Sequence, residues 1–335
     1  MPPKSTAKSS KDHLPNHMVI SMVAAVAIAH LLNDLIQAVL PAIYPMLKIE
    51  FNLSFSQIGL IALIYQITAS LLQPFVGLYT DRHPLPYLLP VGMSITLVGI
   101  TVMAFATHFY ILLLAAVLVG IGSSTFHPEA SRVARMASGG RFGTAQSAFQ
   151  VGGNSGSAIG PLLAALIIVP NGKSAVAWFT GFALLAIFIL FRVSRWLIQQ
   201  AQQPKKQSAI QHTGLKGILL YRALGVIGIL MLVKFTYIAS ISNYYTFYLM
   251  ERFSLSLVQS QVYLFAFLAA VALGTFAGGP IGDKIGRSAV IWVSFLGIIP
   301  FALVLPYVNL MWTAILSIMI GLVISSAISA MVVYA

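Results

Sequence analysis

The chain has 335 residues, 59% of them hydrophobic and only 8% charged, with a net charge of +12 and a mean hydropathy of +0.91. No soluble core needs that much apolar surface, so the composition excludes a water-soluble globular domain and points to a bilayer. Cysteine is absent, which rules out disulfides and thiolate metal sites.

A helix crossing the hydrocarbon needs about 20 mostly apolar residues. The chain supplies ten such runs, at 19–47, 57–79, 88–107, 110–131, 143–169, 174–196, 218–249, 258–281, 288–306 and 311–335. The fold expected is all-α, because a lipid-facing segment must satisfy its own backbone polar groups. Residues 1–17, polar and lysine-bearing, read as a disordered tail. The first span stays apolar well past Ala25-Val26-Ala27, so it is no cleaved signal sequence. Residues 18–197 then make a six-helix bundle, 198–217 a flexible linker with Pro204, Lys205 and Lys206, and 218–335 a second bundle.

Lysine and arginine alternate in side. With the tail in the cytoplasm, that side holds 15 of the 19 basic residues. The far side keeps Lys48, Lys173 and Arg252, and Lys234 falls inside a span. A basic balance distributed in this way calls for no nucleic-acid partner.

The first span places His30, Asn33, Asp34 and Gln37 on one helix face, a polar stripe that cannot meet lipid. Asp34 is the candidate proton carrier, since a carboxylate in a low-dielectric site can hold a proton at physiological pH. His30 and Asn33 serve as hydrogen-bonding glue between helices or, with Gln37, as lining for a substrate. After the second span comes Gly77-Leu78-Tyr79-Thr80-Asp81-Arg82, which recurs as Gly279-Pro280-Ile281-Gly282-Asp283-Lys284, followed by Arg287. The offset is 202 residues at both landmarks, from 77 to 279 and from 81 to 283. Each copy is expected at the membrane surface as a tight hinge, and a repeated span-loop-span unit is the mark of a transporter that rocks one half against the other.

The fourth span ends in His127-Pro128-Glu129. His127 and Glu129 either move protons or, through Arg132 and Arg135, form an interfacial ion-pair cluster; no second ligand pair stands at metal-binding spacing, so no metal site is expected. On the fifth span Gln146, Gln150 and Asn154 share a face, and Gly156, Gly160 and Pro161 mark either a sliding, bending helix or a rigid packing seam. In the seventh span Lys234, with Tyr237, Ser240, Tyr244 and Tyr245 beyond it, suits an anion; the competing reading is a charge pair with Asp34.

These residues resemble the major facilitator superfamily. Gly77-x-x-x-Asp81-Arg82 is similar to its signature between the second and third helices, and Gly156-x-x-x-Gly160-Pro161 to the fifth-helix motif of drug:proton exchangers, with Ala164 and Ala165 where glycines are usual. More narrowly, His30 to Asp34, Phe126 to Gly140, Phe149 to Asn154 and Ser242 to Met250 resemble the bacterial fosmidomycin resistance family. The resemblance implies a major facilitator fold of two pseudo-repeated bundles. It also implies an inner-membrane, proton-coupled exporter of a small anionic drug such as a phosphonate antibiotic, monomeric and without a cofactor. Against it, Ala116 stands where the exchangers carry arginine, and Pro84 and Pro86 interrupt the cytoplasmic signature.

Two other functions compete: a proton-coupled importer of an organic anion, and a membrane-embedded enzyme, for which His127, Glu129 and Arg132 lack a nucleophile. Ten spans of an expected twelve are present, so the 335-residue chain is expected to lack two helices and to be unstable or inactive. Ser317, Ser325, Ser326 and Ser329 should then face the wrong environment.

Overall fold

The structure, a computed structural model, describes residues 17–201 and 217–327. The expected tail up to residue 16, most of the linker and Ser329 lie outside the described residues, as do the side chains of Gly279, Asp283, Lys284 and Arg287. Every described element is helical. Among the described residues, eight helices are long and apolar enough to span: α1 Ile20–Ala42, α2 Phe55–Arg82, α4 Phe109–Ala137, α5 Thr144–Asn171, α6 Lys173–Gln200, α7 Ile218–Phe253, α8 Leu257–Gly278 and α9 Ser288–Tyr307. Two shorter apolar helices, α3 Leu88–Ala104 and α10 Leu310–Ser326, complete the ten expected from hydropathy.

Local chemistry explains where the helices begin and break. The expected first span, 19–47, is interrupted at Ile43, where Pro41 and Pro45 remove ladder donors, and a short helix Tyr44–Glu50 follows. Ser54 starts α2 with a capping box: its hydroxyl accepts the Gln57 N–H at 3.2 Å while the Gln57 side chain accepts the Ser54 N–H at 2.9 Å. Ser256 and Gln259 repeat the device at the start of α8, with distances of 3.2 and 3.0 Å. Each box follows a left-handed residue, Asn52 at φ 50° and Ser254 at φ 53°. Phe51-Asn52-Leu53-Ser54-x-x-Gln57 and Phe253-Ser254-Leu255-Ser256-x-x-Gln259 are therefore one turn used twice, at the same offset as the glycine motif.

The glycine motifs are not the hinges themselves. Gly77 to Arg82 form the last turns of α2, and the reversal comes at His83 to Tyr87, where Pro84 and Pro86 cannot continue a helix. Residues 279–285 are likewise helical, with the turn at Gly286, φ 93°.

Two larger apolar cores and two small satellites form among the described residues. One core gathers buried residues from Val26 to Leu197, the other from Tyr245 to Ile320, joined by Ala158 of α5. Leu63, Phe75, Leu184, Leu232 and Trp292 point outward, as acyl-chain contacts require. The two halves meet along α5 and α8, and at the end that carries the α1–α2 and α7–α8 turns Phe55 meets Phe247 edge-on at 5.3 Å, the Tyr244 hydroxyl lies over Gly59, and the Gln261 amide donates to the Ala42 carbonyl.

α10 corrects one expectation. Ser317 and Ser325 are buried, not exposed; Ser317 accepts the Tyr245 hydroxyl at 3.0 Å, Ser325 donates to Gly321 O at 2.7 Å, and half-buried Ser326 donates to Val323 O. The reason is that Gly274 and Gly278 let α8 lie against the α10 backbone.

At the same end as the repeated turns, Lys173 ties three loops. Its ammonium pairs with Glu50 at 2.9 Å, donates to Ala106 O and lies 4.4 Å from the centre of the Phe51 ring. Because the Glu50 side chain is 40% exposed, the ion pair itself contributes little. Lys173→Met is expected to lower stability by about 1 kcal/mol or less, read as a small drop in detergent melting temperature; a loss several-fold larger would mean that the carbonyl contact dominates.

Candidate functional site

The α1 stripe meets α4 and α5. Glycines permit this: a Cβ on Gly152 would strike the Ala27 carbonyl, one on Gly156 the Leu31 carbonyl, and one on Gly160 the Ala38 methyl. α1 and α5 are thus in backbone contact along three successive turns, the packing-seam arrangement of small residues.

At the centre of this contact lies Asp34. Its Oδ2 is 3.3 Å from His30 Nε2 and its Oδ1 3.4 Å from His127 Nε2. His30, 3% exposed, bonds through Nδ1 to the Phe149 carbonyl at 2.7 Å and stacks on the Phe149 ring at 4.0 Å. His127 Nδ1 lies 3.1 Å from the Ser123 carbonyl, and the two imidazoles meet edge to face. The Asn33 amide donates to Asp34 Oδ1 at 3.0 Å, and its own oxygen is buried without a partner. Gln37 accepts the Tyr65 hydroxyl at 2.5 Å while its Nε2 is a buried donor left unpaired. Three helices therefore converge on one carboxylate, held by two imidazoles whose outer nitrogens are fixed by backbone carbonyls.

The other candidates lie elsewhere. Glu129, 2% exposed, pairs with Arg132 at 2.6 Å, and Arg132 reaches the Thr80 carbonyl at 3.4 Å, tying the end of α2 to α4. Asp81 and Arg82 are exposed at that end. Ser131 donates to Gln146 at 3.2 Å, while Gln150 and Asn154 are half-buried on α5. Tyr244 is 38% exposed, Tyr237 half-buried, and Tyr245 is in the second core.

Lys234 does not pair with Asp34. It is 1% exposed and donates to Ser294 Oγ on α9 at 2.8 Å, with the Phe295 ring 4.9 Å away. Sealed in this way, it joins α7 to α9. Lys234→Gln is expected to reduce transport of charged and neutral substrates alike by loosening that junction; a loss confined to anions, measured with substrates matched in size, would return Lys234 to the binding site.

Sequence spacing revealed the His30–Asp34 relation but not the third member, because His127 comes from another helix. Tyr65 and Ser123 were also missed, being separated from the stripe by whole spans.

Residues 26–335 match the family model of the Major Facilitator Superfamily. The fosmidomycin resistance protein of Escherichia coli (strain K12) is 56% identical over 87% of this chain and 72% of its own length. An uncharacterized MFS-type transporter of Bacillus subtilis (strain 168) is 42% identical over 87% and 72%. A bacterial homologue of the human lysosomal transporter Spinster, solved inward-facing and unoccupied, superposes with TM-score 0.70 at 17% identity, covering 93% of this chain and 74% of that one.

Proposed function

The chain belongs to the major facilitator superfamily, and from that premise we propose that this multi-pass membrane transporter exports a small anionic drug, a fosmidomycin-like phosphonate, in exchange for protons. The observation that carries the reading is the Asp34–His30–His127 cluster. A carboxylate between two imidazoles, partly reachable at 17% and 27% side-chain exposure for Asp34 and His127, is a place where protons can be taken and released inside a span. Asp34 is the carrier. Half-buried Gln37, Gln150 and Asn154 supply neutral hydrogen-bonding groups for the substrate, while buried Asn33 holds Asp34. Glu129, paired to Arg132, serves the α2–α4 junction rather than the proton path.

Residues 18–197 and 218–335 act as the two rocking units, with the N-terminus in the cytoplasm of a bacterial inner membrane. The gathered contacts Phe55–Phe247, Tyr244–Gly59 and Gln261–Ala42 then form the extracytoplasmic gate, which must part for release. The monomer suffices, since the path lies between bundles of one chain.

The absence of cysteine makes the gate directly testable. A single cysteine at Phe247 should react with a membrane-impermeant maleimide from outside at least about tenfold faster when substrate and a proton gradient drive turnover, because exposure follows the population of the outward-open state. An unchanged rate under turnover contradicts the gate assignment.

The rival reading, import of an organic anion, differs only in the direction of coupling. Cells expressing the protein should accumulate less phosphonate than control cells and tolerate more of it. Higher accumulation would favour import.

A further inference from the structure

We propose that His30, Asp34 and His127 form a binding site for one divalent transition-metal ion of the zinc class, bridging α1 and α4. The ion would occupy the same carboxylate assigned above to proton transfer, so metal binding and protonation of Asp34 compete.

The hydrogen bonds outside the cluster fix what the groups present inside it. His30 Nδ1 is 2.7 Å from the Phe149 carbonyl and His127 Nδ1 is 3.1 Å from the Ser123 carbonyl, so each of those nitrogens carries a hydrogen. In a neutral ring the remaining nitrogen, Nε2, then offers a lone pair. Both Nε2 atoms face oxygens of Asp34, at 3.3 and 3.4 Å. Lone pairs from three side chains are thus aimed at one another, an arrangement that a bound cation satisfies.

The spacing fits. Bonds of about 2.0–2.2 Å from zinc to imidazole nitrogen and carboxylate oxygen give tetrahedral edges of roughly 3.3–3.6 Å. The two Nε2 atoms lie 3.3 and 3.4 Å from different oxygens of the Asp34 carboxylate, Oδ2 and Oδ1, and one ligand atom from each residue lies within 4.8 Å of the others, so small rotations of the carboxylate and rings bring all three onto one ion. The backbone carbonyls on the outer nitrogens are the second-shell partners that metal-binding histidines use to fix tautomer and ring orientation. The Asn33 amide, 3.0 Å from Asp34 Oδ1, orients the carboxylate in the same way.

A Cβ at Gly153 would collide with the His30 ring and with Asp34 Oδ2, so glycine there lets both ligands pack directly against the α5 backbone. Charge agrees: with both imidazoles neutral, the carboxylate is a buried anion that a divalent ion neutralises. Two nitrogens and one carboxylate suit zinc, nickel or copper, whereas magnesium requires oxygen ligands in octahedral array. Asp34 and His127 keep 17% and 27% side-chain exposure, which provides the way in.

The test uses the full chain, free of any polyhistidine tag, in detergent at one fixed pH. Zn²⁺ titrated calorimetrically should fill one site per chain beyond whatever the His30→Gln/His127→Gln double variant binds. Either single substitution should weaken that site on the order of 100-fold or more, given that loss of a second-shell partner alone costs 10–100-fold. His108→Ala, at an α4 cap away from the cluster, should leave it unchanged. Co²⁺ supplies a measurement that needs no variant: the wild-type protein should develop the intense visible bands of a four-coordinate nitrogen–oxygen site, abolished by Zn²⁺. Wild type without Zn²⁺ heat or Co²⁺ bands, or binding undiminished in a folded His127→Gln variant, would overturn the proposal and leave the cluster to protons alone. Because no transport is measured, either outcome leaves the export reading to be judged separately.

Discussion

Gly156→Leu is expected to remove almost all transport, and to do so by preventing the N-terminal bundle from assembling. The glycine faces the Leu31 carbonyl so closely that even one methyl would overlap it. Backbone cannot retreat as a flexible side chain can, so α1 must move away from α5 along the whole seam. Overpacking of a filled interior costs about 1–3 kcal/mol for an added methylene or so. Gly156→Ala should therefore already lower the detergent melting temperature measurably, and leucine should leave little folded protein. Gly181→Ala on α6, where nothing lies within 4 Å, is the matched control and should be neutral or mildly stabilising. Gel-filtration profiles and melting curves of the three variants check the claim. A Gly156→Leu protein that is monodisperse and melts like wild type would mean that the seam is looser than the structure has it.

The second large effect is expected from Asp34→Asn. Asparagine keeps the size of the side chain and hydrogen-bonding capacity toward His30 and His127, so insertion and folding should survive. What it loses is the ability to ionise, and drug efflux driven by a proton gradient should fall about 100-fold or more, the scale on which a positioned proton-transfer group acts. Downhill exchange of substrate, which needs no net proton movement, should persist. Separate measurement of gradient-driven efflux and of exchange, at equal protein in the membrane, distinguishes a lost carrier from a broken fold. Wild-type coupling in the variant would remove Asp34 from the mechanism.

Much of the fold was legible in the sequence because bilayer physics is one-dimensional: a run of apolar residues long enough to cross is visible without knowing its neighbours. The ten helices follow the hydropathy pattern, and their breaks follow Pro41, Pro45, Pro84 and Pro86. The repeated turn before α2 and α8 was equally present, in Ser54-x-x-Gln57 and Ser256-x-x-Gln259, but capping residues are common enough that the pairing gains meaning only when both are seen to begin helices. The glycines of α5 announced a close approach without saying what approached.

Partners across the fold were the harder part. Glu129 and Arg132 lie three apart on one helix, and their pairing could be read directly. Lys234 shows the opposite case: its helix position near mid-bilayer demanded a partner, and charge alone suggested Asp34. The structure supplies the hydroxyl of Ser294 and an aromatic face instead, 60 residues away. Neither is ionisable, so no reading of charges would have found them. His30 and Asp34 were legible as one face; the completion of the site by His127 depends on how α1 crosses α4, which no spacing within a helix encodes.

The central claim, proton-coupled export through alternating access, is tested most directly in proteoliposomes in which the orientation of the protein is known. Radiolabelled phosphonate should move from the cytoplasmic face to the extracytoplasmic face, saturably and against its own gradient, only when the proton gradient is directed oppositely. Protons should move in the other direction in the same experiment. Flux that is indifferent to the proton gradient, or uphill flux of drug in the same direction as the protons, would contradict the account.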